Sequence, residues 1–116
     1  MNEVKIGKNY TTISPLKGVV QIVAPAQNVA GVVIRTSCIA SGNGTINVIA
    51  GPKTPTGLND VSQAVIFGAN GNTTSPGRSY EAFMPYPLFI PAGQGLWVVG
   101  DDAGSSAIAL TWDILS

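Results

Sequence analysis

Twelve residues, Leu88-Phe89-Ile90-Pro91-Ala92-Gly93-Gln94-Gly95-Leu96-Trp97-Val98-Val99, constrain the fold more than any other stretch. They read as a strand, a tight Pro/Gly turn and a second strand, that is, a hairpin. Pro91 fixes φ and removes an N–H, and Gly93 and Gly95 supply conformations closed to other residues. Side chains alternate along a strand, so Leu96 and Val98 face one way and Trp97 and Val99 the other. One of these pairs enters the core. The other needs a second cover, and in a small domain a neighbouring subunit is the expected one.

The rest of the chain repeats the same grammar. Apolar runs with β character occupy 18–24, 30–40, 45–50, 63–67, 79–84, 88–90, 96–99 and 107–115, and turn signals separate them. Asn43-Gly44 marks a hairpin, because that pair accepts the positive φ of a primed turn. Pro85 and Pro87 make the strand around them an edge or a bend. The last run alternates strictly, with Ile108, Leu110, Trp112 and Ile114 on one face and Ala109, Thr111 and Asp113 on the other, the pattern of a central strand buried on one side. No stretch shows a helical period. Residues 68–77 form the longest loop. Seven or eight short strands at this spacing predict an all-β fold, a single-domain, jelly-roll-like antiparallel β-sandwich of about eight short strands, with an immunoglobulin-like sandwich as the alternative. Residues 18–116 make up that domain. Residues 1–17 are polar, are interrupted by Pro15 and read as an N-terminal arm.

Composition then narrows the function. Only 10% of residues are charged, against about 25% in ordinary soluble domains, and the formal net charge is zero. So neutral a surface predicts contact with other protein chains. The six basic residues are scattered, which argues against nucleic acid as a partner. No apolar run is long enough to span a membrane, and no signal-peptide pattern opens the chain. The expectation is synthesis in a cytoplasm and no membrane association.

The search for chemistry finds little. The chain has no histidine and one cysteine, Cys38, which rules out a His-dependent triad and a zinc site built from the usual ligands. Glu81 and Asp113 both fall on strands, but no spacing brings them together as the facing carboxylates of a glycosidase. Asp101-Asp102 lies in a Gly-flanked loop with too few acidic neighbours for a calcium site. No cofactor, metal site or catalytic residue is expected, and the chain reads as a binding and assembly protein rather than an enzyme. Tyr80, Phe83, Tyr86, Phe89 and Trp97 cluster within 18 residues. Core strands and subunit contacts are the favoured reading of such rings, with a platform for sugars as the alternative. Trp97, Val99, Phe83 and Tyr86 are the candidate subunit-interface residues, and Tyr10, Ile13 and Leu16 are the candidate docking residues of the arm.

The segment Phe89-Ile90-Pro91-Ala92-Gly93-Gln94-Gly95-Leu96-Trp97-Val98, with Ala30 to Thr36 answered by Ile46 to Pro52, resembles the small jelly-roll structural proteins of tailed-bacteriophage virions, the decoration, head-fibre and tail-tip class. The match covers about a third of the chain. The resemblance implies a homo-oligomer, a trimer by preference, that is made in the host cytoplasm and attached to other virion proteins such as a major capsid or tail protein. The expected role is a non-enzymatic structural protein that decorates or stabilises the capsid or tail. A carbohydrate- or receptor-binding module of a tail or fibre, with a host glycan as ligand, is the alternative.

Overall fold

The computed structural model describes residues 5–14, 16–41, 44–58, 60, 62–71, 80–83, 87–100 and 106–116. Among the described residues there are nine strands, β1 (Asn9–Ile13), β2 (Gly18–Val23), β3 (Val32–Ser41), β4 (Gly44–Gly51), β5 (Ala64–Gly71), β6 (Tyr80–Phe83), β7 (Leu88–Ile90), β8 (Gly95–Gly100) and β9 (Ser106–Ile114), and one 3-10 turn at Pro25–Gln27. β6 and β7 lie end to end along β3, β7 beside Val32–Ile34 and β6 beside Cys38–Ser41. Together they form one interrupted edge, as the prolines between them require.

All pairings are antiparallel, and they nest. β4 pairs β5, β3 pairs β6 and β7, β2 pairs β8, and β1 pairs β9. The chain is thus one long hairpin ribbon folded over on itself. Two further pairings, β3 with β9 and β4 with β8, stitch the folded ribbon into two sheets. Their strand orders are β1-β9-β3-β6 with β7, and β2-β8-β4-β5. This is the all-β, jelly-roll-like sandwich that the strand count and turn spacing predict. β9 is central in its sheet, again as its alternation predicts.

The core fills the space between the sheets. Val32, Ile34, Ile39, Ile108, Leu110 and Trp112 come from the five-stranded sheet, and Val23, Ile46, Val48, Ala50, Leu96 and Val98 from the four-stranded one. Leu16 is fully buried among them, and its N–H donates to the Ser106 carbonyl at 2.7 Å. β1 and Leu16 are therefore built into the sandwich. β1 is an edge strand in unbroken register with β9, and Leu16 is part of the core. The polar stretch Asn9-Tyr10-Thr11-Thr12 lacks the apolar alternation of a strand, and β9 supplies the ladder that holds it extended.

The hairpin expected in the central stretch is the first change. β7 and β8 do not pair with each other. β7 belongs to the five-stranded sheet and β8 to the other, so Pro91–Gln94 is an arch between layers and not a hairpin turn. Asn28, only 2% exposed, ties the arch down. Its Nδ2 donates to the carbonyls of Pro91 (2.8 Å) and Gln94 (2.9 Å), and its Oδ1 accepts from Gly31 N at 2.8 Å. Its own carbonyl accepts from Gly93 N at 2.8 Å.

Strand parity is the second change. The register slips at Ile22 in β2, at Arg35 in β3 and at Ile66 in β5, one extra residue in each. A bulge of this kind reverses which residues face inward beyond it. In β3, Val32 and Ile34 face the core. After Arg35 the inward positions are Ser37 and Ile39, while Thr36 and Cys38 face outward.

Candidate interaction surface

Each sheet has an outer side, and the two differ. On the four-stranded sheet, Asn47 pairs Val99 and Ile49 pairs Trp97, so these four share the side away from the core. All are buried: Trp97 and Val99 at 1%, Ile49 at 0% and Asn47 at 4% exposure. Pro25 of the 3-10 turn and Gln63, just before β5, reach this side. A Cβ on Gly95 would sit 2.5 Å from the Trp97 ring and 2.8 Å from Pro25, and one on Gly51 would collide with the Gln63 amide. Pro55 and Gln63 are themselves buried, and Gln63 Nε2 donates to the Lys53 carbonyl at 2.7 Å. Asp60 shapes the connection from β4 to β5. It accepts from Ser62 Oγ at 2.6 Å, from Thr56 N at 3.0 Å and from Ser62 N at 3.0 Å, and these bonds lower its pKa to about 2.

Trp97 and Val99 were expected to meet a neighbouring subunit. They are correctly placed away from the core, but the chain itself buries them, so neither offers a surface to a partner. The mistake is physical. A period-two pattern says which side a residue faces, not whether a distant connection closes over that side. Two buried polar atoms, Trp97 Nε1 and Gln63 Oε1, have no hydrogen-bond partner there.

The five-stranded sheet is different. Its outer side carries Tyr10 and Thr12 on β1, Ala107, Ala109, Thr111 and Asp113 on β9, Val33, Thr36, Cys38 and Ala40 on β3, and Phe89 on β7. The floor is made of small side chains, and it is dished. A trough of about 270 Å³ runs between Tyr10, Thr12, Thr36, Cys38, Ala109 and Thr111, and a hollow of about 100 Å³ continues it past Ala40 and Ala107. Two aromatics stand at opposite edges, Tyr10 at 80% exposure on β1 and Phe89 at 55% on β7. The Phe89 ring lies against Gly31, which leaves no room there for a side chain.

Polar groups on this face satisfy one another. The Thr36 and Thr111 hydroxyls are 2.6 Å apart, and Thr111 Oγ1 accepts from Gly7 N at 2.9 Å. At one end Arg35 Nε donates to Asp113 Oδ2 at 2.9 Å, and Lys8 N donates to Asp113 Oδ1 at 2.7 Å. The Lys8 N–H first and the Arg35 guanidinium second hold the Asp113 carboxyl below the usual carboxylate range. The pair forms because Arg35 follows Val33 onto the outer side by ordinary alternation, and Val33 stands opposite Asp113.

The remaining sequence candidates fall as follows. Ile13 is partly buried against the core and Leu16 lies within it, so neither is available to dock on a capsid or tail, while Tyr10 is open. Phe83 stands opposite Cys38 in register, and Tyr86 and the Asp101-Asp102 loop lie outside the described residues. Glu81 is opposite Ala40, which is opposite Ala107, whereas Asp113 lies six residues further along β9. At about 3.3 Å per residue these backbones are roughly 20 Å apart, too far for the facing carboxylates of a glycosidase. Among the described residues no group of three or more His, Cys, Asp or Glu is placed to hold a metal ion, and no helix is long and apolar enough to cross a membrane. Comparison with protein families, with curated proteins and with solved structures finds no match.

Proposed function

We propose that this chain is a non-enzymatic structural protein of a phage virion, one that self-associates and decorates or stabilises the capsid or tail. The observation that carries the reading is the asymmetry between the outer sides of the two sheets. One is closed by the chain's own turn and connection, and the other is a dished, nearly uncharged floor with exposed aromatics at its edges. Large exposed apolar side chains such as Tyr10 and Phe89 beside small-residue floors mark surfaces that protein partners cover. The low charge of the whole chain and the resemblance of the 89–98 segment to phage jelly-roll proteins support the setting. The test is the native mass of the purified chain by light scattering over a range of concentrations. A discrete oligomer supports the reading, and a single-chain mass throughout contradicts it.

A second reading draws on the same face. Hydroxyls of Thr12, Thr36 and Thr111 line the trough beside the exposed Tyr10 ring, a pairing of hydrogen-bonding groups with an aromatic plane that suits a host glycan. A glycan array decides it. Binding lost in Tyr10→Ala favours a receptor-binding module, and an empty array removes it.

A further inference from the structure

We infer that the outer side of the five-stranded sheet is covered by the same side of a second copy, forming a two-fold pair with Cys38 and Ala109 at its centre. This deepens the proposed self-association and rests on it.

Area comes first. The sheet is four strands wide, counting β6 and β7 as one, and β9 is nine residues long. The strands run five (β1), nine (β9), ten (β3) and seven (β6 with β7) residues, so at about 4.8 Å between strands and about 3.3 Å per residue the face covers roughly 500 Å². Two such faces bury about 1,000 Å² together, which reaches the threshold for a specific contact. The broad, shallow face suits another sheet, since sheets stack face to face at about 10 Å.

Charge points the same way. Among the described side chains from Ala107 to Thr111 the floor is uncharged, and the register sets the backbone position of Glu81 on the same side at the β6 edge, opposite Ala40. The ion pair at its end is internally matched, and the whole chain has zero net charge. At the centre of the face, away from the β6 edge, a second copy meets no repulsion, and a basic or acidic partner finds nothing to complement.

Symmetry fixes the stoichiometry. A closed trimer needs two different, complementary patches on each subunit, whereas a face that covers itself closes after two copies. Any two-fold that buries the whole face brings its centre onto its own counterpart. That centre lies where Cys38 stands opposite Ala109, beside Thr36 opposite Thr111. Cys38, the only cysteine and half-buried in the single chain, is therefore a built-in reporter.

The experiment pairs native mass with the rate at which a maleimide labels Cys38. The wild type should reach about twice the chain mass, and labelling should slow at least tenfold as concentration rises through association. Ala109→Arg sets two like charges against each other at the centre. It should give a single-chain mass, native circular dichroism and fast labelling at every concentration. Thr12→Lys, on the exposed edge strand, makes the same test if Ala109→Arg does not fold. An oligomer that persists in the folded variant, with Cys38 labelled equally fast throughout, overturns this face as the contact and leaves self-association standing. A wild type that stays at the single-chain mass overturns both.

Discussion

Asn28→Ala is the sharpest probe of how the two layers are held in alignment. Asn28 is 2% exposed, and its side chain makes three hydrogen bonds, to the carbonyls of Pro91 and Gln94 and from the N–H of Gly31. A hydrogen bond contributes about 1 kcal/mol net, and a buried group left unpaired costs about 1–3 kcal/mol. Pro91 is exposed and Gln94 half-buried, so water can recover those two carbonyls, but Gly31 is buried and its N–H is stranded. The loss comes to about 3 kcal/mol, which for a domain of this size is a fall in Tm of about 10–15 °C. Urea denaturation followed by tryptophan fluorescence measures it, with the midpoint shifting and the slope unchanged. Asn28→Asp keeps the acceptor for Gly31 but sets a carboxylate against two carbonyl oxygens, and it should be no more stable than the alanine variant. A loss below about 1 kcal/mol in Asn28→Ala would refute the claim that this side chain fastens the arch, because three bonds cannot then be contributing as their geometry implies.

Four further outcomes are expected. Trp97→Asp should fail to fold, since it puts a carboxylate into a fully covered site, and Trp97→Ala should cost about 3–5 kcal/mol; a folded Asp variant of lower mass would restore Trp97 as a subunit contact. Gly95→Ala should destabilise by about 2 kcal/mol in thermal melts, because its Cβ has the Trp97 ring, Pro25 and the Val23 carbonyl all within 2.8 Å. Deletion of residues 1–16 should abolish cooperative unfolding, since it removes β1 and the buried Leu16, whose truncation to alanine alone should cost about 2–5 kcal/mol. Asp60 and Asp113 have folded pKa values below the ordinary 3.8, so their contribution is present above that value and is lost as pH falls through the folded values; Tm should therefore drop between about pH 4 and pH 2, and the Asp60→Asn, Asp113→Asn double variant should show a shallower drop.

The strands and their layering were legible because alternation and turn chemistry are local. β9 shows this best, with Ile108, Leu110 and Trp112 inward as their spacing requires. Ile114, expected with them, is 40% exposed at the strand's end, where the core runs out. What stayed hidden was non-local. The bulge at Arg35 moves Thr36 and Cys38 to the outer side, and no periodicity within β3 announces it. β1 is a strand because β9 pairs with it, not because Asn9-Tyr10-Thr11-Thr12 prefers to be one. The arch at Pro91–Gln94 has hairpin chemistry, yet its two strands separate because Asn28, more than sixty residues away in sequence, holds it between sheets. The candidate site suffered most from this. Trp97 and Val99 were placed on the right side of β8, but the cover over them comes from the chain's own turn and connection. Phe89 and Tyr10 were legible as aromatics, while the small-residue floor between them depends on the register of three strands. A row of Ala, Thr and Cys carries no signal until its strands are set side by side.

The native mass of the unmodified chain tests the central claim most directly. Sedimentation equilibrium across a dilution series should show a reversible transition between the 11.9 kDa chain and a species of about twice that mass. A mass that stays at the single-chain value up to the solubility limit would contradict the account, because the open sheet would then need no second copy to cover it.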